Sequence, residues 1–187
     1  MRNWMLALTA PLLLSACSSV SVHDYAERQP KLDPREFFDG KLCADGVVRD
    51  WKGEQIRQFN ASIIATWDEQ GVGTLDEIFQ FDDGRETRIW TLTPMTNAEG
   101  QRAYRAKAND VPEPTVMNFA GNAIHMNYML RYGESGDTID LTMDDWMFKV
   151  ADGVVVNETT MSKWGIDVGQ VLLVMRKVDD GHECIEE

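Results

Sequence analysis

Three cysteines punctuate the 187 residues, and their positions point to two different chemistries. Cys17 closes the stretch Leu14-Ser15-Ala16-Cys17, directly behind a short apolar run. Arg2 supplies a positive start, Trp4 to Leu14 an apolar segment, and Ser15 and Ala16 the small residues that precede a cut. This order is that of a secretory leader whose cysteine is acylated. Residues 1–16 are expected to be the signal peptide, and Cys17 the lipid-carrying first residue of the mature chain. The apolar run is about half of the ~20 residues a spanning helix needs, so it does not read as a span. Two or more acyl chains anchor a protein stably. Ser18, rather than an aspartate, follows the cysteine, which favours the outer membrane and its periplasmic face. Cys43 and Cys184 are then the remaining pair, in an oxidising compartment where disulfides persist. A bridge between them would close a loop of roughly 140 residues, worth about 4–5 kcal/mol on the chain-entropy model. It would require the first and last strands to lie side by side. The alternative is two unrelated thiols.

Acid–base chemistry has fewer candidates. Glu77 shares strand parity with Leu75 and Phe79, and Asp145 with Met143 and Met147. Both acids are therefore expected to point inward, where a buried carboxylate needs a partner such as Arg88 or Lys163. A structural ion pair is one reading. A two-carboxylate hydrolase, with acids about 5–10 Å apart across a cleft, is the other. The remaining acidic pairs sit on adjacent residues, which face opposite sides of a strand. Asp82-Asp83-Gly84 reads as a turn. His125 falls on the wet face of its strand, and His23 and His182 lie in the ends. No Gly-x-Ser-x-Gly elbow, two-histidine metal spacing or phosphate-cradling glycine loop is present. Neither a cofactor nor a metal is expected, and the chain does not read as an enzyme. The net charge of -13 argues against nucleic acid, whose phosphates need Lys and Arg.

The elements that position these residues read as all-β. Runs rich in Val, Ile, Thr and aromatics are separated by turn signals such as Lys52-Gly53, Gln70-Gly71 and Asp152-Gly153. Strands are expected near 42–51, 55–67, 73–82, 86–94, 102–110, 115–121, 123–132, 137–150, 153–163 and 169–178. Phe59, Ala61, Ile63, Ala65 and Trp67 share one face of their strand. Ile124, Met126, Tyr128, Leu130 and Tyr132 share one face of another. One apolar and one wet face per strand is the antiparallel pattern. A meander of this size closes on itself to remove its edges. The fold expected is an antiparallel up-and-down, lipocalin-like barrel of about 8–10 strands over residues 36–180. A lipidated tether, 17–35, precedes it, with one helical turn near 34–39, and a tail, 181–187, follows it. The inward alanines Ala61, Ala65, Ala106 and Ala108 fit either a cavity or the taper of a filled barrel. Trp67, Trp90, Tyr104, Met126, Tyr128 and Trp146 are the candidate pocket residues, with Met129 a further one. Core filling is the plainer reading of the tryptophans.

The segments Arg35-Glu36-Phe37-Phe38-Asp39-Gly40, Gly73-Thr74-Leu75-Asp76-Glu77, Trp90-Thr91-Leu92, Asp144-Asp145-Trp146-Met147 and Met161-Ser162-Lys163-Trp164-Gly165 resemble a proteobacterial lipoprotein family. It is catalogued as a domain of unknown function, number 3833. The resemblance runs in order through nearly the whole mature chain. It brings no established activity, so it assigns no catalytic residue, but the family's context implies a lipid-related role. The combined expectation is a membrane-anchored envelope protein that holds a fatty-acyl or other apolar ligand. The alternative is a scaffold with a filled barrel and a protein partner. An enzyme acting on lipid or glycan, through Glu77 or Asp145, is the third reading.

Overall fold

The computed structural model describes residues 19–134 and 136–185. Ten strands follow one another: β1 (Gly40–Asp50), β2 (Gln55–Trp67), β3 (Gly73–Phe81), β4 (Gly84–Thr96), β5 (Arg102–Ala108), β6 (Thr115–Ala120), β7 (Ala123–Glu134), β8 (Asp137–Ala151), β9 (Val154–Lys163) and β10 (Ile166–Lys177). Each pairs antiparallel with its sequence neighbours, and β1 pairs with β10, so the sheet is a closed up-and-down barrel. All ten expected strands are present, with ends within a few residues of those read from the turn signals.

Period-two patterning decides which way each strand faces. On β2, Phe59, Ala61, Ile63 and Ala65 are buried inward, while Asn60, Ile64 and Thr66 are not buried. β7 and β8 repeat the pattern through Ile124, Met126, Tyr128 and Leu130, and through Leu141, Met143, Asp145 and Met147. Apolar side chains thus line the lumen, the reverse of a membrane-spanning barrel, whose lumen is polar. At Gly46 of β1 the Phe59 ring lies where a side chain would be, so an added Cβ would collide with Phe59 Cζ. Only glycine leaves that ring room.

The two ends of the barrel differ. One carries the β2–β3, β4–β5, β6–β7 and β8–β9 turns, and the chain closes it before β1 begins. A 3-10 turn, Val22–Tyr25, and a one-turn helix, α1 (Pro34–Phe37), lie there. Pro34 sits at the helix start, where no amide bond is lost, and Asp33 caps it by accepting from Arg35 N at 2.9 Å. Leu32, Phe37 and Phe38 join the barrel core. Leu32 N donates to Gly121 O at 2.7 Å, and the Trp67 indole N–H donates to Phe38 O. Gly121 has φ +54, and a Cβ there would collide with Tyr25 O. The Tyr25 ring packs on Trp146 and Phe148 of β8. Residues 21–35, expected as a free tether, therefore belong to the folded body. Their prolines and charges hide a few apolar anchors that carry no periodic signal. The expected signal peptide, 1–16, and the lipidation site Cys17 lie outside the described residues.

Cys43 on β1 and Cys184 in the tail are joined by a disulfide, with Cα atoms 5.1 Å apart. The bridge fastens the tail after β10 to the outer face of β1. Among the described residues no helix is long and apolar enough to cross a membrane.

Candidate functional site

Above the plugged end the lumen is not filled. A cavity of about 410 Å³ is bordered by β1–β4 and β7–β10, within the ~300–1,000 Å³ typical of small-molecule sites. Its wall is chiefly apolar, including Phe59, Phe79, Leu141, Met143, Met161 and Val171. The wall residues Ile56, Tyr132 and Ile139 are solvent-exposed, so the cavity opens at the end opposite the plug. None of Ala61, Ala65, Ala106 and Ala108 borders it. All four are buried, but Ala61 and Ala108 pair with Phe79 and Trp90, which do line the cavity.

Polar side chains converge on this cavity from four strands. Glu77 of β3 is 8 % exposed and Asp145 of β8 is 5 % exposed. Asn157 of β9 donates to Asp145 through its amide and also to Trp146 O at 2.8 Å. The Tyr128 hydroxyl of β7 lies 3.4 Å from the second Asp145 oxygen. Burial raises the Asp145 carboxyl above its ordinary value, against the hydrogen bonds from Asn157, Thr159 and Tyr128 that favour its ionised form. Burial raises Glu77 further, to about 7, partly countered by the nearby Arg88 charge. The Tyr128 hydroxyl is pushed well up by burial and by Asp145, and stays neutral.

Arg88 is the cross-strand neighbour of Glu77, but its guanidinium is committed elsewhere. Its Nε donates to both Asp110 oxygens, at 3.0 and 2.8 Å, and its Nη2 lies 2.8 Å from Oδ2. Asp110 comes from the β5–β6 connection, which turns back on the barrel: Val111 is buried, and Asp110 O accepts from Arg131 N at 2.8 Å. Arg88 therefore stands close to Glu77, as expected, while its direct ion pair is with Asp110. Lys163 is not that partner; it lies over the Trp164 ring at the β9–β10 turn.

At the mouth, Arg57 of β2 spans the opening. Its Nη1 donates to Tyr132 of β7, on the opposite wall, at 3.2 Å. Its Nε donates to Asp83 at 3.0 Å, its Nη2 to Glu86 at 2.9 Å, and its guanidinium sits 3.6 Å from the Phe81 ring centroid.

Of the six candidate pocket residues, Trp90, Met126 and Tyr128 line the cavity, and the Trp90 and Tyr128 rings meet edge to face at 5.3 Å. Trp67 and Tyr104 do not. They pack on each other at 5.4 Å beneath the cavity, against the plug. Trp146 is outside the barrel, stacked on His125 at 4.2 Å. Its neighbour Asp145 faces in, so strand alternation forces Trp146 out. Met129 is exposed for the same reason, lying out of phase with Met126 and Tyr128. His125 remains on the outer face, with Nε2 2.6 Å from Asp144 Oδ1. Arg57 and Asn157 were missed although each shares parity with a buried residue, Phe59 and Val155. Asp110 has no such signal, because it lies in a loop.

A larger depression, about 760 Å³, is bordered by β1, β2, β3 and β10 residues such as Asp45, Asn60, Gln80 and Leu172. It is open to solvent, and no buried acid borders it, so the lumen is the better candidate. Among the described residues no three His, Cys, Asp or Glu side chains are grouped to hold a metal ion.

Comparison with solved structures finds the same architecture in an S-type phycobiliprotein lyase, CPES, from Guillardia theta. The TM-score is 0.53 at 10% sequence identity, over 78% of this chain and 90% of that one. At that identity the likeness is one of fold, an all-β lipocalin-like barrel. A search of the curated proteins finds no match. The model of one family matches residues 11–177, and the chain belongs to that family, described as "Protein of unknown function (DUF3833)".

Proposed function

We propose that this protein is a lipocalin-like binding module that holds one fatty-acyl or similar apolar chain in its lumen, in the cell envelope, anchored to the outer membrane through acyl groups on Cys17. The carrying observation is the cavity: about 410 Å³, closed at one end by Leu32, Phe37 and Phe38, open at the other, and walled mainly by Leu, Ile, Met, Val and Phe. Methionine-rich walls suit loosely specified apolar ligands, because an unbranched thioether adapts its shape. Six cavity-lining residues of β7 and β8, Met126, Leu130, Ile139, Leu141, Met143 and Met147, supply much of that surface. Binding supports this reading better than catalysis does. The Asp145 carboxylate is tied to Asn157 and Tyr128, which leaves Glu77 as the single unengaged acid on the cavity wall, whereas a two-carboxylate hydrolysis needs two. The scaffold alternative, a barrel filled by its own side chains, fits poorly with an open apolar lumen.

Native mass spectrometry tests the reading. Residues 19–187 contain the plug, all ten strands and both bridged cysteines, and can be prepared without detergent. Incubated in turn with a long-chain fatty acid, alcohol and amine, the protein is expected to carry one molecule of at least one of them. A clean unliganded mass in all three cases overturns the proposal.

A further inference from the structure

Glu77 is the cavity group with the least obvious purpose. It borders the lumen and is almost fully buried, yet among the described residues nothing donates a hydrogen bond to its carboxyl. Its strand neighbour Arg88 does not serve it, because three guanidinium contacts go to Asp110. Asp145, by contrast, is satisfied by Asn157 and Tyr128. The groups facing Glu77 are Arg88 from β4, Asp110 from the β5–β6 connection, Asp145 from β8 and Tyr128 from β7, with Asp76 beside it on its own strand. Below the mouth, two acids, Glu77 and Asp145, and one base, Arg88, border the cavity, and that base is paired with a third acid, Asp110. The Glu77 oxygens are not sealed in the protein, since Asn122 Oδ1 is the one fully buried polar side-chain atom without a partner among the described residues; they face the lumen, where an occupant can supply the donor that the protein does not. A ligand carboxylate placed there would meet like charges in a water-poor site, with the one guanidinium already engaged. A donor group would meet an open acceptor.

We infer that the ligand's polar end is a hydrogen-bond donor, a protonated amine or a hydroxyl, seated on the Glu77 carboxyl, with its apolar chain running up the Met- and Leu-lined wall toward the mouth. A free carboxylate is excluded from that position. This rests on the lumen being the ligand site and adds the class of head group. The raised Glu77 value agrees with it: near neutrality the carboxyl is divided between a form that accepts from a cation and a form that exchanges hydrogen bonds with a hydroxyl.

The test is calorimetric titration of residues 19–187 with dodecylamine, dodecanol and dodecanoate, which share one chain length. The amine is expected to bind at least roughly tenfold more tightly than the carboxylate, the worth of one charge-assisted hydrogen bond. Its affinity is expected to rise from about pH 6 to about pH 8 as Glu77 ionises while the amine keeps its proton. Glu77→Gln should erase the amine's advantage over dodecanol and leave dodecanol bound. If the variant does not fold, the pH profile of the unaltered protein carries the same test. Dodecanoate binding as tightly as dodecylamine, or an amine affinity flat with pH, overturns the inference while leaving the lumen as the ligand site. Failure of all three compounds to bind overturns the ligand-site reading itself.

Discussion

Glu77 sets how the protein responds to pH. Burial pushes its carboxyl up to about 7 in the folded state, against an ordinary value of 4.5. Between those two values the folded chain holds a proton that the unfolded chain has released. Stability from this group is therefore complete below about pH 4.5 and declines as the pH climbs through about 7, by about 3 kcal/mol at most. Asp145, also raised by burial, pushes in the same direction. Thermal unfolding followed from about pH 5 to about pH 8 should show a falling melting temperature that is flatter in Glu77→Gln. Parallel profiles for the two proteins would remove Glu77 from this role. The inward placing of Glu77 and Asp145 was readable from their parity with Leu75, Phe79, Met143 and Met147. The partners were not. Tyr128, Asp145 and Asn157 meet only because β7, β8 and β9 are in one particular register, and the sequence does not state register.

At the scale of elements, strand existence followed from alternation and from turn residues at regular spacing. All ten strands were legible for that reason. The plug was not legible. Residues 21–35 mix Pro30, Pro34 and many charges with single apolar anchors, and no period marks them as core. Together with Phe37 and Phe38, which follow them, they pack closely: Leu32 and Phe38 are each 2 % exposed, and Phe37 and Phe38 meet edge to face at 5.2 Å. Removing the Phe38 ring should cost about 3–5 kcal/mol, as for other buried aromatic truncations. Denaturant unfolding of Phe38→Ala measures it. A loss near zero would mean that the plug is only laid against the barrel and does not form part of its core. Trp146 illustrates the opposite error. Its size suggested the interior, while the phase of its strand placed it outside against His125 and Tyr25. Where bulk and phase disagree, phase decides, because a strand cannot turn one residue without turning its neighbours.

For the whole molecule, closure joins the first strand to the last, and the Cys43–Cys184 bridge fastens the tail across that seam. Plugging one end and leaving the other open makes a blind apolar well with a buried polar group of acids along its wall. The family and the fold were readable from sequence. The volume of the well was not, because it depends on which inward side chains meet across the lumen. The account stands on that well being able to take up an apolar chain. Trp90 is the one tryptophan among the described residues that borders it, so its fluorescence reports occupancy directly. Titration with dodecanol brominated at mid-chain should quench part of the emission saturably, and that component should be missing in Trp90→Phe. An emission unchanged by the brominated alcohol, or the same quenching without Trp90, would contradict the account.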